Sequence, residues 1–163
     1  MKQVDTAAGS HQASQPKSVA EEYKKACLNF KDPEVFISFF QTHYDNNAHF
    51  KDPVFEGYGY GGVVKYCEKI CNIVKDLSVD HWETVHEDNK VVMHWDITIY
   101  VKYWPFKVRI PGTTLLVFND NDKCVEHIEY WDLFNTLINV VPIIPTIFKL
   151  FPKKWRENLV FLR

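Results

Sequence analysis

Nowhere in the 163 residues is there an apolar run long and unbroken enough to span a bilayer. The best candidate, Leu137 to Phe151, falls short of the roughly 20 residues a spanning helix needs and is broken by Pro142 and Pro145. A surplus of basic charge is also missing. The net charge is −2 and the pI near 6.4, which argues against a nucleic-acid binder that works by neutralising phosphates. Cysteine is sparse. Cys27, Cys67, Cys71 and Cys124 are too few and too scattered for a small disulfide scaffold, and a chain of this length can build its core without such staples. Cys67 and Cys71 stand one helical turn apart, like half a metal site, but no second pair matches. The thiols are therefore expected to pack as small hydrophobes, with no metal. The N-terminus lacks an apolar signal segment, so a reducing, cytoplasmic setting is expected. No P-loop, dinucleotide fingerprint, nucleophile elbow or zinc-protease helix is present, and any chemistry is expected to run without a cofactor.

What the chain has in quantity is aromatic rings. Twelve Phe, eight Tyr and five Trp make up 15% of it, enough to wall a core or a cavity. With 46% hydrophobic and 25% charged residues, the composition suits one globular domain. Charge is uneven, however. Residues 137–163 hold Lys149, Lys153, Lys154, Arg156 and Arg163 against Glu157 alone, a surplus of four positive charges, and residues 1–136 carry a net −6.

Residues 1–17 show no periodicity and read as a disordered lead. Ser18, with Glu21 three positions on, has capping-box spacing and opens a helix through about Phe30. Asp32-Pro33 starts a second helix carrying Val35, Phe36, Phe39 and Phe40, which ends near the polar stretch Tyr44 to Asn47. Ala48 to Asp52 reads as a short strand stopped by Pro53, the glycines at 57, 59, 61 and 62 as a loop, and about Gly62 to Lys75 as a third helix. From Leu77 to about Phe134 the chain reads as antiparallel strands. Met93, Trp95, Ile97, Ile99, Val101 and Tyr103 share one face of the longest, while His94, Asp96, Thr98 and Lys102 share the other. Asn119 to Asp122 marks a hairpin. Helices followed by strands mean α+β, a curved antiparallel sheet wrapped around N-terminal helices. Residues 135–163 form an apolar and basic C-terminal helical extension, read as a lid or interface or as a membrane-surface element.

This order, with Leu28-Asn29-Phe30-Lys31-Asp32 leading into Phe39-Phe40, then Ala48-His49-Phe50-Lys51-Asp52-Pro53, Phe118-Asn119 through Lys123, and Glu126 through Asp132, resembles the cone-shaped superfamily of nuclear transport factor 2, ketosteroid isomerase, scytalone dehydratase and the SnoaL-like polyketide cyclases. The resemblance covers about residues 19–134 within a domain of 18–134. It implies a hydrophobic pocket, and Asp52 occupies the position of the isomerases' general base. The isomerases' oxyanion tyrosine would fall at Lys24, with Tyr23 one residue away and about 100° around the helix. Their protonated oxyanion acid would fall at Thr114. Both departures argue against steroid isomerase activity.

Asp52 ends an apolar stripe with Ala48 and Phe50, where a carboxylate could take a proton from carbon; alternatively it terminates the strand and caps the next loop. Val125, His127, Glu129 and Trp131 share one face of the last strand, opposite Cys124, Glu126, Ile128 and Tyr130. By resemblance the first set points into the cone, where His127 and Glu129 could share a hydrogen bond. With the faces reversed they would meet solvent or a partner subunit. Three functions are compatible with this set. One is a cofactor-free acid/base enzyme, an isomerase, cyclase or dehydratase acting on a carbonyl or polyketide-like substrate, with Asp52, His127 and Glu129 facing a pocket lined by Phe50, Trp95, Ile97, Ile99, Thr114, Leu116 and Trp131. The others are a carrier of small hydrophobic ligands and a homodimeric interaction module using the sheet face around His94, Asp96 and Lys102.

Overall fold

The computed structural model describes residues 15–103, 105 and 107–140. The N-terminal lead up to residue 14, and the tail from 141 onward with its expected lid, partner or membrane role, lie outside the described residues. Helix α1 is Gln15–Leu28. It starts ahead of Ser18, so that residue lies within the helix instead of capping it. Its Val19, Ala20, Tyr23 and Ala26, at helical spacing, are buried. Helix α2 is Pro33–His43, capped by Asp32, whose Oδ1 accepts from the Glu34 amide at 3.1 Å. Pro33 supplies a pre-set φ where no amide proton is needed. Helix α3 is Tyr60–Ile73. Gly59 precedes it at φ 77°, and a Cβ there would stand 2.9 Å from the Asn46 carbonyl oxygen, so only glycine fits.

Six strands follow around these helices: β1 (Tyr44–Lys51), β2 (Glu56–Tyr58), β3 (Val74–Glu87), β4 (Lys90–Val101), β5 (Lys107–Phe118) and β6 (Cys124–Trp131), with α4 (Leu133–Val140) after the last. They form one curved, unclosed sheet in the order β2-β1-β6-β5-β4-β3. The sheet is mixed, because β1 runs parallel to β6 while every other pair is antiparallel. Strand β1 begins four residues earlier than the alternation of Ala48 and Phe50 indicates. Its polar start is held by backbone pairing of Tyr44 with Cys124, and the register slips before His49. Strand β2 lies within the stretch read as a loop.

Two irregularities decide which side chains face inward. A bulge between Val79 and His81 shifts the inward phase of β3 from Leu77 and Val79 to Trp82 and Thr84. A second, between Val117 and Phe118, pairs Phe118 with Cys124 and leaves Cys124 fully buried, although simple alternation puts it opposite His127. Tyr103 also departs from the stripe assigned to it. The β3–β4 ladder ends at Val74 with Val101, and Tyr103 is fully exposed in a left-handed turn at φ 63°. The hairpin at Asn119–Asp122 is present, with Asn119 Oδ1 accepting from the Asn121 and Lys123 amides at 3.0 Å each.

The inner face of the sheet packs on α1 to α3 through Phe30, Phe36, Phe39, Phe40, Phe50, Met93, Trp95 and Leu116. The outer face carries paired polar groups. Arg109 grips Asp96 through both its Nε and Nη2 atoms, and the Thr98 hydroxyl donates to Asp80 at 2.6 Å. No helix among the described residues is long and apolar enough to cross a membrane.

Candidate active site

The sheet register brings the inward residues of neighbouring strands into rows. Phe50 of β1 stands beside His127 of β6, which pairs with Leu116 of β5 and through it with Val91 of β4. The next row holds Glu129, Thr114 and Met93; the next, Trp131, Gly112 and Trp95. His127 and Glu129 therefore do share the inner face.

His127 is fully buried, with the Phe50 ring 4.5 Å from its own and Tyr23 edge-on at 5.3 Å. Its Nε2 lies 3.1 Å from Glu129 Oε1, and its Nδ1 meets the hydroxyl of Tyr44. A carboxylate only accepts, so Nε2 carries the proton toward Glu129, and Nδ1 is left to take the Tyr44 hydroxyl proton as a hydrogen bond. Tyr23 donates to the same Glu129 oxygen at 2.8 Å. Two donors thus pin Oε1, while Oε2 has no hydrogen-bond partner among the described residues. Burial first, and the nearby Glu129 charge with it, push the phenol of Tyr23 well above its usual range; burial does the same for Tyr44. Both remain hydrogen-bond donors.

Asp52 is held by a different set of donors. Its Oδ1 accepts from the amides of Val54 and Phe55, both at 2.7 Å, and its own amide donates to the Phe55 carbonyl at 2.8 Å, closing a tight turn at the end of β1. Its Oδ2 accepts from the Tyr66 hydroxyl of α3 at 2.5 Å. Three of its roughly four acceptor positions are taken, two of them by the turn that it caps. Burial, followed by the bond to Asp52, raises Tyr66 far above the ordinary phenol. The Tyr66 ring stacks on Phe55 at 4.6 Å, tying the turn to α3.

Between helices and sheet lies a cavity of about 280 Å³. Of the residues expected to line it, Phe50, Trp95, Ile97, Ile99 and Trp131 do, together with the carboxylates of Asp52 and Glu129. Thr114, Leu116 and His127 have no exposed surface and stand behind the wall. Thr114 Oγ1 accepts the Trp95 indole proton at 2.8 Å, and so braces a lining residue. Gly112 has a similar effect, since a Cβ there would meet the Trp95 ring at 2.4 Å. Tyr23 lines the cavity although the resemblance placed the equivalent position at Lys24. Tyr44 and Tyr66 were not identified as site residues. Tyr44 sits in a polar run that reads as the end of a helix, and Tyr66 is one of many apolar positions of α3. Cys27, Cys67 and Cys71 complete the wall. Burial raises all three thiols, Cys27 to about 12. Among the described residues no group of three or more His, Cys, Asp or Glu side chains is placed to hold a metal ion.

Residues 20–127 match the SnoaL-like domain family. The chain belongs to that family. Solved structures agree on the fold of this SnoaL-like domain. A candidate SnoaL-like polyketide cyclase from Shewanella putrefaciens is 17% identical with a TM-score of 0.62, covering 79% of this chain and 97% of its own. AclR, a candidate hydroxylase from Streptomyces galilaeus, is 18% identical with a TM-score of 0.63, covering 79% and 96%. A protein of ketosteroid isomerase-like fold from Catenulispora acidiphila, solved in complex with trimethylamine, is 13% identical with a TM-score of 0.61, covering 74% and 92%. At these identities the likeness extends to fold alone. No curated protein matches the sequence.

Proposed function

We propose that this SnoaL-like domain binds a small hydrophobic molecule in its aromatic cavity and transforms it by cofactor-free acid/base chemistry, with Glu129 as the base. The observation that carries this reading is the Glu129 carboxylate: Oε1 is fixed by His127 and Tyr23, Oε2 has no hydrogen-bond partner among the described residues, and the side chain lines a cavity walled by rings. A base needs reach and a fixed direction, and those bonds supply the direction. His127 and Tyr44 act as positioning residues behind it. Asp52 holds the turn at the end of β1 and the Tyr66 hydroxyl, and contributes charge more than proton transfer. Isomerisation, cyclisation and dehydration are reactions of this kind. The trimethylamine complex of the Catenulispora relative supports a small-molecule site in the fold.

A second reading, a carrier without turnover, is favoured by one observation. The phenols lining the cavity already donate to carboxylates, and Trp95 donates to Thr114. A carbonyl substrate would have to draw Tyr23 or Tyr66 away to stabilise a developing oxyanion. The test begins with native mass spectrometry of the purified protein to identify a co-purifying hydrophobe. That compound is then incubated in D₂O with the wild-type protein and with Glu129→Gln. Deuterium incorporation or conversion by the wild type alone supports the enzyme; an unchanged ligand with both supports the carrier.

A further inference from the structure

The charge and donor inventory of the cavity says more about its occupant, given the proposed reading of it as a ligand site. Among the described residues, its lining includes two carboxylates, Asp52 and Glu129, and no Lys, Arg or His. Its hydroxyl donors, Tyr23 and Tyr66, are engaged with those carboxylates, and the Trp95 indole is engaged with Thr114. The Trp82 indole nitrogen has no partner but is sealed from solvent. What remains open to a ligand is Glu129 Oε2 and the faces of aromatic rings, including Phe50, Tyr66, Trp95 and Trp131. Among the described residues, Lys24 sits 5.8 Å from the Trp82 ring centroid and Lys31 5.9 Å from that of Phe30, both cations outside the lining of the cavity.

Each class of ligand meets this surface differently. An anion would face two carboxylates with no cation among the described lining residues to answer them. A neutral hydrocarbon would expel water from Glu129 Oε2 and leave that oxygen without a donor, which is unfavourable in an apolar site. A compact organic cation would satisfy the carboxylate and present its charge to ring faces that attract it. We infer that the cavity selects small organic cations, an alkylammonium or arylammonium group, over neutral molecules of the same shape. A volume of about 280 Å³, equal to roughly nine waters at about 30 Å³ each, has room for a group the size of a substituted benzene.

The test uses an isosteric pair, phenyltrimethylammonium and tert-butylbenzene, which differ in charge and hardly in shape. Their affinities for the full chain are measured by calorimetry and by quenching of tryptophan fluorescence. The cation should bind about tenfold more tightly or better. In Glu129→Gln, which keeps an acceptor for His127 and Tyr23, the cation should lose about tenfold while tert-butylbenzene binds as before, which also reports that the cavity is intact. Equal or tighter binding of tert-butylbenzene, or a preference unchanged in Glu129→Gln, overturns the cation inference and leaves the pocket reading standing. If neither probe binds, both fall.

Discussion

Replacing Gly112 with alanine tests how the cavity wall is set. The added methyl would stand 2.4, 2.5 and 2.8 Å from Cη2, Cζ2 and Cζ3 of Trp95, against an ordinary contact of about 3.5–4.0 Å between carbons. The indole must therefore move by about 1 Å or more. It has little freedom to do so, being buried and tied to Thr114 Oγ1 at 2.8 Å. Overpacking of this kind costs about 1–3 kcal/mol, and breaking the indole bond about 1 kcal/mol more, so Gly112→Ala should lose about 2–4 kcal/mol. For a domain of this size that lowers Tm by about 5–15 °C. The assay is urea unfolding followed by tryptophan fluorescence, with near-UV circular dichroism reporting the Trp95 environment. Thr114→Val is the companion variant, leaving the indole in place without its acceptor, at about 1–3 kcal/mol. If Gly112→Ala unfolds within about 0.5 kcal/mol of the wild type with an unchanged near-UV spectrum, Trp95 is not held against the Gly112 backbone and this account of the wall is wrong.

Three further outcomes are expected. Arg109 holds the Asp96 carboxyl below its usual range, chiefly through their hydrogen bonds, so the bridge adds stability above the unfolded carboxylate value of about 3.9 and loses it as pH falls through the lower folded value. Because the guanidinium is 71% exposed, Arg109→Ala should be only slightly less stable near pH 7; the gap should close in strong acid, and a gap that widened there would contradict the assignment. Burial keeps Cys27, Cys67 and Cys124 protonated in the folded chain, so a disulfide reagent at pH 8 should label Cys71 first and Cys124 only on unfolding; equal rates for those two would refute the burial of Cys124. Nitrogen-15 NMR should find the proton of His127 on Nε2, with Nδ1 accepting from Tyr44 and shifting in Tyr44→Phe; a proton on Nδ1 in the wild type would reverse the direction of the network.

Periodicity in the sequence was sufficient for the helices, the long strands and the inner stripe of Met93, Trp95, Ile97 and Ile99, because burying one face of a helix or strand imposes a period that a linear chain displays. The same alternation put His127 and Glu129 on one inward face, and the turn chemistry of Asn119 and of Asp32-Pro33 is local enough to read directly. Tertiary pairing decided the rest. That β1 lies parallel to β6, with Phe50 beside His127, depends on partners more than 70 residues apart, and nothing in either segment announces the other. The bulges in β3 and β6 reversed the phase of single residues such as Cys124, since one extra residue exchanges the two faces of a strand. The hydrogen-bond partners of Asp52 and Glu129 were decided in the same way. As sequence, each is a carboxylate at the edge of an apolar stripe; in the fold, Tyr66 and two amides occupy one, while His127 and Tyr23 aim the other into the cavity. Which acceptors a carboxylate has left for a ligand depends on donors brought from other elements, and only the closed tertiary structure fixes those.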